Sequence, residues 1–540
     1  MPARVPEPTA PSTARSPQRP ARSPSRRRRR ALAAVSATGL VVTGLATTGA
    51  TASSSDVPVP QRMVQAVTLD GTVRHLTALQ QAADVNGGDR AAGTSGYAAS
   101  AGYVAGQLTA AGYDVELQPF DFPFFGETAP AVLERTAPEA EEYALEEDFA
   151  SLTYSGSGDV TGSVVPVDVV LPAGGAPNAS TSGCEASDFE GFPAGSIALV
   201  QRGTCAFFDK ASNAFAAGAA AVIVFNEGQE GRTGVIAGTL GADVGGPVVG
   251  TTYEVGVELA RAGTEVRVST STVSETRTTY NVLAETRGGR SDNVVMVGAH
   301  LDSVDTGPGI SDNGTGSAAV LETAIQMARV APEPTNKVRF AWWSAEELGL
   351  LGAAHYVEEL TTTERGSIAL YMNFDMVGSP NFGRFIYDGD DSDGEGAGAG
   401  PQGSGAVEDV FETWYERRGL PYQGTDFTGR SDYGPFIAEG VGIPAGGLFT
   451  GAEGIKTEEQ AELFGGTAGE AYDPCYHTAC DTLRNVDFRA LGQNADAIAF
   501  ATGVFARSTE TVNGRGRGNR SSGAQVADLA SPEAAGLSTT

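Results

Sequence analysis

Six side chains able to bind metal or move protons stand at the ends of apolar runs or in polar loops. His300 closes "NVVMVGAH", and Asp312 follows twelve residues later in "TGPGISDNGTG". Glu346 and Glu347 end "KVRFAWWSAEE", Asp375 ends "SIALYMNFD", and His477 lies in "CYHTACDTL". Two imidazoles and four carboxylates are the groups with which a hydrolase holds two divalent ions, one carboxylate bridging the pair and another left free as base. Neighbouring side chains at a strand end point in different directions, so one of Glu346 and Glu347 can bind metal while the other accepts a proton from water. Taken singly, each residue has a plainer reading: a strand-end cap for His300, an N-cap for Asp312, an acidic first helical turn for the glutamate pair. Their joint placement in one region argues for the metal. The chain has only four histidines. The other two, His75 between helically spaced apolar residues and His355 after "GLLGAA", read as surface or core-edge side chains.

The elements that must position these groups have an α/β texture. From Asn281 onward, apolar runs of four to eight residues alternate with helical stretches such as 317–330, the pattern of a parallel sheet covered on both faces. Three of these runs stop on the candidate residues, and the carboxyl ends of strands are where open α/β sheets bind ligands. Upstream, Val73, Leu76, Leu79 and Ala83 predict one helix, and Tyr97, Ala101, Val104 and Leu108 a second that Gly112 stops before a strand over 114–120. Between 123 and 275 the texture changes to alternating strands with Gly and Pro turns and one βα unit, which predicts an inserted, mostly β domain. The expected organisation is therefore an α/β domain with a mixed, mainly parallel central sheet flanked by helices, built from segments 53–122 and 276–508 around an insert at 123–275.

Residues 1–52 carry nine Arg, one Glu and no Lys, then the apolar run "ALAAVSATGLVVTGLATTGATA". This reads as a cleaved signal peptide, exported by the general or the twin-arginine route, with a retained anchor as the other reading. Beyond residue 52 the formal charge is −38, so nucleic acid and anionic membrane are excluded as partners. After signal cleavage no membrane association is expected, and the protein is expected to be secreted and extracellular, as a monomer. Residues 509–540 have almost no large apolar groups and are expected to be a disordered or removable tail. The four cysteines form two local pairs, Cys184 with Cys205 and Cys475 with Cys480. In a secreted chain these predict disulfides, with thiolate metal ligands as the rival.

The stretches "GAHLDSVDTGPGISDNGTGSAAVLE", "RFAWWSAEELGLLG", "YMNFDMVGSP", "GRSDYGPF", "GGLFTGAEG" and "CYHTACDTL" resemble the co-catalytic zinc aminopeptidases of the M28 family, in particular the Streptomyces-type secreted leucine aminopeptidases. The insert, through "GCEASDF", "IALVQRGTCAFFDKASNA" and "GAAAVIVFN", resembles a protease-associated (PA) domain. The resemblance implies two Zn2+ per chain: Asp312 bridges them, His300 and Asp375 complete one site, and Glu347 and His477 the other. It implies Glu346 as general base, Asp302 as the carboxylate that orients the His300 imidazole, and Tyr476 as donor to the tetrahedral oxyanion. Arg430 matches the loop that holds the substrate terminus, and Met376 and Phe449 fall at an apolar side-chain pocket favouring Leu, Met or Phe. The substrates implied are the free N-termini of peptides or proteins. Relatives that bind Ca2+ do so between an N-terminal Asp and two carboxylates on the last helix. Asp56 and Asp496 match, but Gly492 replaces the third group, and Tyr433 stands where close relatives have His.

Two other readings share this fold. A glutamate carboxypeptidase would need a basic pocket for a terminal carboxylate, for which the loops offer little beyond Arg430. A catalytically dead binding protein would have lost ligands that this chain retains.

Overall fold

Residues 293–300 are buried without a break, and a strand apolar on both faces has to run through the middle of a sheet covered on both sides. In the computed structural model the strand Arg290–His300 does so. It pairs in parallel with Asn336–Trp343 on one side and Ile368–Phe374 on the other, and the latter pairs in parallel with Ala445–Phe449. Antiparallel pairs flank this centre: Phe385–Tyr387 beyond Ala445–Phe449, and Glu265–Glu285 beyond Asn336–Trp343. The structure describes residues 57–394 and 396–515. The expected signal peptide, Asp56 and most of the expected tail lie outside these residues. Among the described residues no helix is long and apolar enough to cross a membrane.

Alternation along the strands assigns the two faces. Val295, Val297, Phe340, Trp342, Leu370 and Met372 pack against helices Leu69–Asp84, Ser95–Ala111, Thr315–Val330 and Phe488–Arg507. Val294, Met296, Trp343 and Tyr371 face the opposite way, onto Leu351–Glu359 and Gly434–Ile437. Helix Ser95–Ala111 begins where Thr94 accepts a hydrogen bond from the Tyr97 N–H and ends at Gly112, whose φ of 97° suits glycine. His75 is not at the surface or a core edge. It is buried, its Nε2 3.2 Å from Glu322 Oε2 and its Nδ1 2.8 Å from the Tyr103 hydroxyl. His355 stacks on Phe120.

The insert joins through a long antiparallel ribbon, Asp114–Ala137 against Glu265–Glu285. Pro123 lies opposite Thr276, so both expected domain joints fall at one level of this ribbon. Strand Glu265–Glu285 pairs with Asn336–Trp343 at one end and with Gly158–Pro166 at the other. The insert's sheet continues in parallel through Ile197–Gln201, Ala221–Phe225 and Val248–Thr251, with its own apolar clusters. Both cysteine pairs are disulfide-bonded, Cys184 with Cys205 in the insert and Cys475 with Cys480 in the loop that carries His477. Residues 509–515, expected to belong to the tail, are instead part of the fold. Thr509 is buried, its hydroxyl accepts from Asn293 Nδ2, and Glu510–Asn513 forms a short helix.

Gly316, in the first turn of Thr315–Val330, lies where a Cβ would overlap the Phe374 carbonyl and Asn313 Oδ1. Gly316→Ala is expected to destabilise the fold by about 1–3 kcal/mol, the usual cost of overpacking. Urea unfolding followed by circular dichroism checks this.

Candidate metal centre

His300 is the last residue of its strand, paired with Trp343, and Asp375 follows the last residue of Ile368–Phe374. Both therefore project from the carboxyl edge of the parallel sheet. Asp312 comes from an irregular segment, Ile310–Gly314, in which Asp312 and Asn313 depart from helical φ/ψ before the helix begins. Three non-glycine residues here adopt positive φ: Ala345 (57°), Met376 (54°) and His477 (56°). Such backbone costs about 1–3 kcal/mol per residue and persists where surrounding contacts over-determine it, which marks functional loops.

These loops bring the six sequence candidates together. Asp312 Oδ1 lies 3.2 Å from His300 Nε2, and Asp312 Oδ2 lies 3.2 Å from His477 Nε2. Asp375 Oδ1 stands 3.2 Å from the same His300 nitrogen, and Glu347 Oε2 stands 3.0 Å from His477 Nε2. The result is two triads, His300–Asp312–Asp375 and Asp312–Glu347–His477, each with its ligand atoms within 4.8 Å of one another, sharing Asp312. Glu346 belongs to neither; its Oε2 is 4.0 Å from His300 Nε2.

The electrostatics of the cluster call for cations. Burial pushes the Glu346 carboxyl well above its ordinary range, with Asp375, Asp432 and Glu347 adding to the push and His300 opposing it. Burial and Asp312 raise Glu347 to about 7. Burial would lower the His477 pKa, but its hydrogen bonds to Asp312 and Glu347 prevail and raise it to about 10. Burial would likewise raise Asp312, yet the two imidazoles pull it well below the carboxylate norm. Glu347 Oε1 and both oxygens of Asp432 are buried without a hydrogen-bond partner. An imidazole and carboxylate donor set with so much uncompensated buried negative charge fits a pair of divalent ions.

Met376, Arg430, Phe449 and Tyr476 line a cleft of about 220 Å³ beside the triads. Met376, Tyr387, Tyr433 and Phe449 form its apolar wall. The Tyr476 ring stacks on His477 with centroids 3.8 Å apart. Tyr433, where the resemblance implied His, stacks on Phe427 and accepts from the Gly429 N–H. Arg430 sits at the mouth with its side chain 76% exposed, 3.5 Å from Glu453. For calcium, Asp496 has the charge of Arg418 nearby, and a Cβ at Gly492 would meet only Leu69.

The sequence profile of peptidase family M28 matches residues 281–502, and that of the PA domain residues 143–259. An aminopeptidase of Pseudomonas aeruginosa (strain UCBPP-PA14) is 50% identical over 461 residues, 85% of this chain and 84% of that protein. The chain belongs to peptidase family M28. It falls among the metallo-aminopeptidases of that family. A probable lipoprotein aminopeptidase, LpqL, of Mycobacterium tuberculosis (strain ATCC 25618 / H37Rv) is 42% identical, over 83% of this chain and 87% of its own. Among solved structures, an aminopeptidase from Aneurinibacillus sp. strain AM-1 matches with a TM-score of 0.60 and 27% identity, over 82% of this chain and 95% of that one.

Around the triads, this M28 chain supplies further groups. Asp302 accepts the N–H of Glu346 at 3.3 Å and of Glu347 at 3.4 Å. His300 Nδ1 lies nearer the Asp302 carbonyl, 3.2 Å, than its carboxylate, 3.7 Å, so the backbone oxygen is the better placed to orient the imidazole. Sequence reasoning missed a buried relay in which Trp343 Nε1 donates to Tyr371 Oη, Tyr371 to Asn373 Oδ1, Asn373 Nδ2 to Ser431 Oγ, and Ser431 to Asp375 Oδ2 at 2.6 Å. Ser431 stands in "GRSDYGPF" beside Arg430, but its partner is 56 residues away and no local pattern links them. Ser431→Ala frees one oxygen of Asp375. Metal affinity or activity is expected to fall roughly 10–100-fold, the usual cost of losing such a partner, and chelator competition on the purified variant measures it.

Proposed function

We propose that this M28 peptidase is a secreted two-zinc aminopeptidase that releases an apolar first residue such as Leu from peptides. The observation that carries the proposal is Asp312, whose two oxygens face different imidazoles while Glu346 stands outside both triads. His300 and Asp375 would hold one ion, Glu347 and His477 the other, with Asp312 shared. A solved zinc aminopeptidase of Bacillus subtilis, 25% identical with a TM-score of 0.55 over 81% of this chain and 94% of that one, supports zinc as the metal. A probable leucine aminopeptidase 2 of Arthroderma benhamiae (strain ATCC MYA-4681 / CBS 112371), 48% identical over 61% of this chain and 66% of that protein, supports the apolar preference. When bound, the ions would acidify a water molecule and polarise the scissile carbonyl.

The chain's own residues do the rest. The free α-ammonium of the substrate sits against the Glu346 and Asp375 carboxylates, which restricts cleavage to the first peptide bond. Its side chain enters the wall formed by Met376, Tyr387 and Phe449. Glu346 Oε2 takes a proton from water as the water oxygen adds to the carbonyl carbon. The same atom returns that proton to the amide nitrogen as the C–N bond breaks. Tyr476 Oη donates to the carbonyl oxygen as it gains negative charge, and its neighbours favour the protonated phenol: burial first, then Asp312 and Glu347, push its pKa up. Residues 1–52 act as the export signal, and the secreted protein works as a monomer. A carboxypeptidase reading fits less well, because the one cation lining the cleft among the described residues, Arg430, points outward beside Glu453.

The test is release of p-nitroaniline from leucine p-nitroanilide and from its N-acetylated form. Turnover of the free amine alone, lost on chelation and restored by zinc, is expected. Glu346→Ala is expected to lower kcat roughly 10²–10⁴-fold, the range for a general base. Equal turnover of the acetylated substrate, or Glu346→Ala within tenfold of the parent, would sink the reading.

A further inference from the structure

Asp302 has a counterpart on the far side of the centre. Asp481, almost fully buried, receives three consecutive backbone N–H groups of the segment that carries Asp312. Its carbonyl accepts from Ile310 at 3.2 Å, its Oδ1 from Ser311 at 2.7 Å and its Oδ2 from Asp312 at 3.0 Å. This segment has irregular backbone and no helical partners for these amides, and Gly309 enters it at φ 61°. A carboxylate with two acceptor oxygens and a free carbonyl is the smallest group that satisfies all three.

Asp481 belongs to the same loop as His477. The Cys475–Cys480 disulfide closes that loop one residue before Asp481. The two loops are also joined further out, where Thr306 Oγ1 donates to the His477 carbonyl at 2.9 Å and a Cβ at Gly307 would overlap the Thr478 carbonyl. Asn485 Nδ2 braces the arrangement from behind, at 2.7 Å from Asp473 Oδ1 and 3.4 Å from Asp481 Oδ1. From this zipper we infer that Asp481 is a positioning residue, which locks the backbone of Asp312 to the loop of His477 and so sets the separation of those two ligands.

The inference rests on the two-zinc reading and makes a claim that reading does not. The Glu346–Glu347 turn is held by Asp302 from one side, whereas the Asp312–His477 span depends on Asp481 from the other. In Asp481→Asn the amide nitrogen faces a backbone N–H, so one of Ser311 and Asp312 loses its acceptor while side-chain volume is kept.

The experiment is zinc titration of the chelated full-length protein in competition with a chromophoric chelator. His477→Ala identifies which of the two dissociation constants belongs to the ion on that side. Asp481→Asn is expected to weaken that ion roughly 10–100-fold and the other ion several-fold less, with most of kcat recovered at saturating zinc. Both constants within threefold of the parent, or both raised equally, would overturn the inference. If Asp481→Asn does not fold, Thr306→Val, at an exposed position, carries the test. A selective weakening of the same ion by at least threefold supports the zipper, and no change overturns it. A parent chain that binds fewer than two ions removes the two-zinc reading itself, an outcome distinct from a parent with two ions and an indifferent Asp481→Asn.

Discussion

The shared carboxylate of Asp312 is the constraint from which the rest of the catalytic unit follows. Each of its oxygens must face a different imidazole, one at the end of a central strand and one on a distant loop. Placing it there gathers Glu346, Glu347 and Asp375 into one buried space, together with Asp302 and Asp432. Such a concentration of like charge is tolerable only with cations present or with protons retained, and the upward shifts of Glu346 and Glu347 express that conflict. The fold sets two of these groups, His300 and Asp375, at the carboxyl edge of the parallel sheet and brings Asp312 and His477 to them on irregular segments.

Rigidity is supplied from outside the donor set. Backbone N–H groups of the two ligand-bearing turns end on Asp302 and Asp481, and the relay from Trp343 through Tyr371, Asn373 and Ser431 ends on Asp375. Positive φ at Ala345, Met376 and His477 has the same origin. Each is, or directly adjoins, a residue whose side chain belongs to the cluster: Ala345 precedes Glu346, Met376 follows Asp375, and His477 is itself a member. The insert leaves this core intact because it enters and leaves through two paired strands. Its attachment is a continuation of hydrogen-bonded sheet rather than a flexible linker, and Glu265–Glu285 serves both units.

Much of this was legible in the residues. Apolar runs that stop on His300, the Glu346–Glu347 pair and Asp375 implied parallel strands that deliver polar groups to one edge, because a strand buried on both faces has no room for charge until it leaves the sheet. Local signals also sufficed for the helix ended by Gly112 and for the two cysteine pairs, whose partners are near in sequence. His75 misled because its apolar neighbours indicated a helix face but not what covered it. Glu322, 247 residues away, turns it into a buried hydrogen-bonded group. The expected tail was placed too early for a similar reason, since Thr509 is held by Asn293.

By itself, then, the sequence determined the chemistry available to this protein: which donors exist, which strands deliver them, and the M28 membership that its motifs declare. Only the tertiary structure decided how those donors are aimed. It set Asp302 to receive the glutamate turn, Ser431 to hold Asp375 and Asp481 to hold Asp312. Donor types and strand periodicity are local properties of a chain. The direction of a carboxylate is set by hydrogen bonds from segments tens to hundreds of residues away, and that information exists only once the chain has folded.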